Sequence, residues 1–293
     1  MKKHLVVAGR LGYPSETPWE QVYKEIAKSG YEGTPLVLDF KNIEKFKEEL
    51  DKAKLVPAPG YLEGRYWLLE ERDIAIAKAK EFLNYSLQLG LTEIFIGTLG
   101  WNDYKGSRGL TRTDVAGRVT PQDGMTADEW KVFVETITQI CEIFMFNGIR
   151  PCFHSHAGSV IETIGEIETL FSEIKPGLLF MGPDTGQLAF GGINVVEFFK
   201  KYTSIIHAVH LKDIVLDTLH KGISSQWNYN QFVSNGLYTE LGQGDIDFKT
   251  IISLLEQSNY SGVYVVETDL PTKKTMYESN LISREYLRRK IGI

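Results

Sequence analysis

Short apolar runs alternate with longer amphipathic stretches along almost the whole chain. The runs are HLVVAG (4–9), TPLVLD (34–39), KLVPAPGYL (54–62), EIFIGT (93–98), IRPCFHSH (149–156), LLFMGPD (178–184), IHAVHLKD (206–213) and GVYVVETD (262–269). Each is rich in β-branched or other large apolar residues and too short for a helix, as a strand buried on both faces of a sheet requires. Between them, apolar residues recur at helical spacing over roughly 18–29, 41–53, 70–89, 127–147, 163–174, 193–203, 248–258 and 278–290.

The boundaries have local causes. Thr17-Pro18-Trp19-Glu20 reads as an N-cap, a first-turn proline and a capping-box glutamate, and Thr126-Ala127-Asp128-Glu129 as a second box. Glycines in SGYEG (29–33), LGLTE (89–93), NGIRP (147–151) and YSGVY (260–264) suit the left-handed position that ends a helix before the next strand.

Alternating strands and helices imply an α/β protein with parallel strands and right-handed crossovers. Eight such units in 293 residues predict a (β/α)8 TIM barrel, with residues 1–293 as one barrel domain. A doubly wound open sheet is the alternative. It would carry a glycine-rich fingerprint after its first strand, whereas the GxG at Gly242-Gln243-Gly244 follows no strand and reads as a turn into a helix capped by Asp247. Two insertions, 99–125 and 214–246, follow strands and so belong on the C-terminal face, where barrels build their sites.

Composition narrows the function classes. The net charge of −6 disfavours a nucleic-acid binder, which carries a basic stripe. No apolar run reaches membrane-spanning length, and the N-terminal LVVA is too short for a signal-peptide core, so a cytoplasmic protein without membrane contact is expected. Cys141 and Cys152 belong to no metal-type spacing and read as buried free thiols.

The candidate chemistry lies at strand ends. His154 and His156 are two apart, hence on one face of the fifth strand if it extends that far. The sixth strand ends in Asp184, the seventh in His210 and the eighth in Glu267. Each has a plain reading: a turn cap for Asp184, a satisfied core imidazole for His210, a loop ion pair for Glu267. Together they bring ionisable groups to one rim, which costs several kcal/mol unless something pairs them. A divalent cation does so. The mixed imidazole and carboxylate set suits Mn, Co, Zn or Mg without selecting one. His156 is then a candidate for proton transfer. Lys212 shares the face of His210 and is a candidate for a substrate oxygen, and Glu162 is a second candidate base. Trp101 and Trp227, with Tyr104 and Tyr229, either form an apolar wall for a substrate or simply pack the loops. Arg108, Arg112 and Arg118 either contact substrate or pair with Asp103 and Asp114.

HSHAGSVIET, DTGQLAFGG, VHLKD, GQGDIDF and VVETD, with YEGT (31–34) and AGRVTP (116–121), resemble in order and spacing the xylose-isomerase-like barrel superfamily of sugar isomerases and epimerases, and within it the inosose (2-keto-myo-inositol) dehydratases. The likeness spans roughly residues 17–270. It implies a divalent-metal site with Asp184, His210 and Glu267 as ligands and His154 at a position where many relatives have glutamate. It also implies a small-molecule sugar or cyclitol substrate and, as is common in the superfamily, a homo-oligomer. The chain departs from the dehydratase-like pattern at Ser155, between the two histidines, at Gln187, where a histidine is expected, and at Pro35, where a glutamate is expected. Gln187 also argues against the zinc-cluster endonucleases of the superfamily, since an amide is a poor zinc ligand. The implied reaction is proton abstraction next to a carbonyl. Loss of a hydroxyl then gives dehydration, and reprotonation gives isomerisation or epimerisation. A non-catalytic sugar-binding barrel that keeps the metal as a structural part is the alternative from another class.

Overall fold

The computed structural model describes residues 4–37 and 42–293. Asp39, in the expected second strand, and Lys41, the expected start of the second helix, lie outside the described residues.

The barrel strands are Val6–Ala8, Gly33–Pro35, a third in two pieces (Val56–Ala58 and Tyr61–Leu62), Glu93–Ile96, Arg150–Phe153, Phe180–Met181, Val209–Leu211 and Tyr264–Val266. Neighbours in this order pair in parallel, and the eighth returns to the first through Val6↔Tyr264, Val7↔Val265 and Ala8↔Val266. The sixth and seventh join only through the bridges Met181↔Ile206 and Asp184↔His210. The third strand breaks at Pro59-Gly60, so the second strand pairs with its first piece and the fourth with its second.

Alternation along the strands decides which side chains meet. Val7, Ala58, Phe95, Cys152 and Val265, from five different strands, and Ala208, just before the seventh, belong to one buried cluster inside the barrel. Their neighbours Val6, Ala8, Ile94, Ile96, Phe153, Val209, Leu211, Tyr264 and Val266 belong to the larger core under the surrounding helices. A period of two carries the inward face on from Cys152 to His154, from Ala208 to His210 and Lys212, and from Val265 to Glu267.

The surrounding helices include Trp19–Lys28, Ile43–Ala53, Arg72–Gln88, Ala127–Phe146, Ile164–Glu173, Val195–Tyr202, Phe248–Gln257 and Met276–Tyr286. Thr126 forms the expected capping box with Glu129, and Asp247 caps through Thr250 N. Four expectations need correction. The first helix is capped at Pro18, not Thr17, and no side chain bonds its free amides. Asn259 (φ 59°), not Gly262, takes the left-handed position before the last strand. The fifth strand ends at Phe153, short of both histidines. The segment 214–246 is not loop throughout. It holds helices Leu216–Ser224 and Tyr229–Ser234 and a hairpin of Asp213–Ile214 with Tyr238–Thr239. Both Cys141 and Cys152 are buried free thiols. Among the described residues no helix is long and apolar enough to cross a membrane.

Candidate active site

The inward positions past the strand ends converge. His154, Asp184 and His210 each bring one ligand-type atom within 4.8 Å of the others, and all three residues are buried. His154 Nδ1, Asp184 Oδ2 and His210 Nδ1 are shielded from solvent and carry no hydrogen bond. Two of them have only charge contacts: His210 Nδ1 lies 3.1 Å from Glu267 Oε2, and Asp184 Oδ2 lies 3.4 Å from Lys212 Nζ. Glu267 therefore stands beside the triad, reaching it through His210. Asp184 Oδ1 accepts from Gln187 N at 2.9 Å, so one oxygen caps the helix Thr185–Phe190 and the other faces the cluster. Buried polar atoms left without partners are rare in native proteins and mark a missing ligand, water or ion.

Lys212 is the internal counter-charge. Its Nζ lies 2.6 Å from Asp269 Oδ1 and 3.4 Å from both Asp184 Oδ2 and Glu267 Oε2. Burial alone would strip its proton, but Asp184, Asp269 and Glu267 overcome that and hold the ammonium charged. Burial would also raise Glu267, yet His210 and Lys212 pull its carboxyl well below the usual range. Asp184 remains raised, by burial that Lys212 only partly offsets. Three carboxylates against one ammonium leave two negative charges when the imidazoles are counted as neutral ligands. That balance fits a divalent cation.

His156 sits at the rim. Its Nδ1 lies 2.8 Å from the carbonyl oxygen of Ala157. A carbonyl only accepts, so Nδ1 carries the proton and Nε2 keeps a lone pair. Burial and the charge of Lys212 lower its pKa to about 4, which keeps the ring neutral at neutral pH. Trp101 packs edge-on to it at 4.7 Å and to Tyr229 at 5.0 Å. Trp101 has φ 31°, and its amide donates to Gly158 O at 2.6 Å.

The other sequence candidates take varied places. Both oxygens of Glu162 are engaged, Oε1 by Gly117 N at 2.6 Å and Oε2 by Gly158 N at 2.7 Å. It clamps the 99–125 insertion to the histidine loop, and its geometry is that of a tie rather than of a base facing substrate. Gln187 Oε1 accepts from Ala157 N at 3.2 Å, while its Nε2 is buried without a partner. Arg118 donates to the carbonyls of Asp114 (2.8 Å) and Trp227 (2.7 Å) and so joins the two insertions. The Trp227 ring packs edge-on to Phe232. Arg108 and Arg112 do not pair with Asp103 and Asp114: Arg108 pairs with Asp123, and buried Arg112 with Glu166. Asp269 and Tyr61 were missed by the sequence reasoning. Asp269 also accepts from Tyr229 Oη at 2.8 Å, and the Tyr61 ring meets His154 edge-on at 5.1 Å. The only available signal for Asp269 was its place two residues beyond Glu267, on the same face.

Comparison with known proteins agrees with this architecture. The model of the xylose isomerase-like TIM barrel family matches residues 39–287. The inosose dehydratase of Clostridium beijerinckii is 27% identical over 281 residues, which cover 94% of this chain and 91% of that protein. Among solved structures, the 3-keto-D-glucoside 4-epimerase of E. coli superposes with a TM-score of 0.71 at 15% identity, covering 98% of this chain and 99% of that one. The IOLI protein, described with a bound zinc atom, does so with a TM-score of 0.71 at 15% identity, covering 99% and 98%. With a matching family model over most of its length and the same barrel in its structural neighbours, the chain belongs to the xylose isomerase-like TIM barrel family.

Proposed function

We propose that this chain, acting as one barrel domain, is a divalent-metal-dependent enzyme that removes the proton next to the carbonyl of a keto-sugar or inosose. The observation that carries the reading is the convergence of buried ligand-type atoms of His154, Asp184 and His210 that carry no hydrogen bond, with Glu267 adjacent and His156 nearby. The resemblance to inosose dehydratases supports the substrate class.

His154, Asp184, His210 and Glu267 would hold the cation. Mn, Co, Zn and Mg all suit such donors, and the zinc in the IOLI protein favours a test with zinc first. The bound cation would supply Lewis-acid polarisation of the substrate carbonyl. His156 Nε2 accepts the proton, since Nδ1 is tied to Ala157. The Lys212 ammonium stabilises negative charge developing on the substrate oxygen. Trp101 and Tyr229 limit access of water at the rim. Loss of a neighbouring hydroxyl then gives dehydration. Return of the proton gives isomerisation or epimerisation, a second reading favoured by the likeness to the 3-keto-glucoside epimerase.

The test combines metal analysis with turnover. Protein purified without chelator is assayed for bound metal, then incubated in deuterated water with a panel of keto-sugars and 2-keto-myo-inositol. Deuterium entering the carbon next to the carbonyl, dependent on about one metal per chain, is the expected result, and the product separates dehydration from epimerisation. No metal-stimulated exchange with any of these compounds would overturn the reading.

A further inference from the structure

The outer flank of the barrel carries an open groove of about 620 Å³ between helices Arg72–Gln88 and Ala127–Phe146. Ile76, Lys80 and Leu83 line one wall, and Glu142, Ile143 and Phe146 the other. Helical spacing sets Leu87 in line with Ile76, Lys80 and Leu83. Phe146 is 91% exposed and Leu87 49%. A lone exposed leucine is ordinary, whereas a phenyl ring standing in water beside an apolar groove marks an interaction surface.

The groove also carries one charge of each sign, Lys80 on one wall and Glu142 on the other. Both are exposed, and among the described residues neither has an ion-pair partner. A protruding ring, a groove to receive one and two opposite charges therefore occupy a single patch. Such a patch is complementary to itself, as a two-fold symmetric contact requires. A two-fold axis running along the groove lays each helix Arg72–Gln88 over helix Ala127–Phe146 of the second copy. It sets Lys80 against Glu142 of the second copy, and Phe146 against Leu83 and Leu87. An axis across the helices would instead set like charges opposite each other. A lipid surface fits less well, since it attracts basic faces and here Glu142 cancels Lys80.

Each Phe146 can bury about 150–250 Å², so the two rings supply roughly a fifth to a third of the ~1,600 Å² typical of a specific interface. Strand Arg150–Phe153 begins just beyond Phe146, so the ring lies at the end of the barrel opposite the ligand cluster. Pairing there leaves both barrel mouths open.

We infer that this flank is the contact through which two copies of the chain pair, with Phe146 as the anchor and Lys80–Glu142 ion pairs setting the register. Sedimentation equilibrium of the full chain tests it. The expected result is a dimer with Kd at or below about 10 µM. Phe146→Ser should raise Kd by about a hundredfold or more, because the substitution enters the contact twice. The exposure of Phe146 leaves the fold untouched, which circular dichroism checks. Lys80→Glu and Glu142→Lys should each raise Kd by about tenfold or more, since each sets like charges face to face. Mixed one to one, these two variants should regain the wild-type affinity as a heterodimer, in which both contacts again pair opposite charges. A general loss of folding or solubility would give no such recovery. A wild-type chain still monomeric at about 100 µM, a dimer unaffected by Phe146→Ser, or charge variants that stay apart on mixing would each overturn the contact.

Discussion

Lys212 Nζ and Asp269 Oδ1 lie 2.6 Å apart at the mouth of the barrel, and the same ammonium faces Asp184 and Glu267 at 3.4 Å each. Removing it strands three carboxylates. Lys212→Met should lower unfolding free energy by about 3–5 kcal/mol, the cost of breaking a buried pair from one side. Urea denaturation at neutral pH measures this. A loss under about 1 kcal/mol would show that water, rather than Lys212, balances the carboxylates.

His210 touches both halves of the ligand cluster, through the triad and through Glu267. His210→Ala should cut zinc retained after dialysis from about one per chain to less than about a tenth of that. Elemental analysis beside circular dichroism reads the outcome. Full zinc retention in a folded variant would move the metal elsewhere.

Glu162 gives a pH signature. Burial raises its carboxyl from the ordinary 4.5 to about 7, against the pull of Arg112 and the two amides. The folded state then binds the proton more tightly than the unfolded chain. This contribution is fully present below pH 4.5 and fades as pH rises to 7, by up to about 3 kcal/mol. The difference in stability between wild type and Glu162→Gln, measured at pH 5, 6 and 7, should therefore shift against the wild type as pH rises. A flat difference would mean that the Gly117 and Gly158 amides hold Glu162 charged throughout.

Gly158 has φ 83°, and a Cβ there would come within 2.7 Å of the Trp101 ring. Gly158→Ala should cost about 1–2 kcal/mol from the backbone alone, and more from displacing the indole. Thermal melting reports the first effect. A change in tryptophan fluorescence reports the second, since Trp101 would leave its contact with His156.

The strand ends were readable in the sequence because each apolar run finishes in a residue too costly to bury alone: Asp184, His210, Lys212 and Glu267. Strand alternation then fixes their shared face. The partners of Glu162 and Arg118 could not be read from the sequence for the opposite reason. Their partners are backbone groups of Gly117, Gly158, Asp114 and Trp227, brought near by the packing of the insertions, and no local spacing encodes that. The helices Leu216–Ser224 and Tyr229–Ser234 went unread because they are short and interrupted by polar residues. Asp213 shows the same limit. It looked like a polar residue after Lys212, yet its carboxylate gathers the amides of Ile214, Gly242, Gly244 and Ile246.

Apart from Glu267, every residue lining the cavity beside Tyr61 lies within the first 82, whereas the converging ligand-type residues begin at His154. The cavity wall and the ligand-type cluster are thus encoded in separate stretches of the chain. Substitutions in the early segment can reshape the cavity while leaving the residues of the cluster untouched.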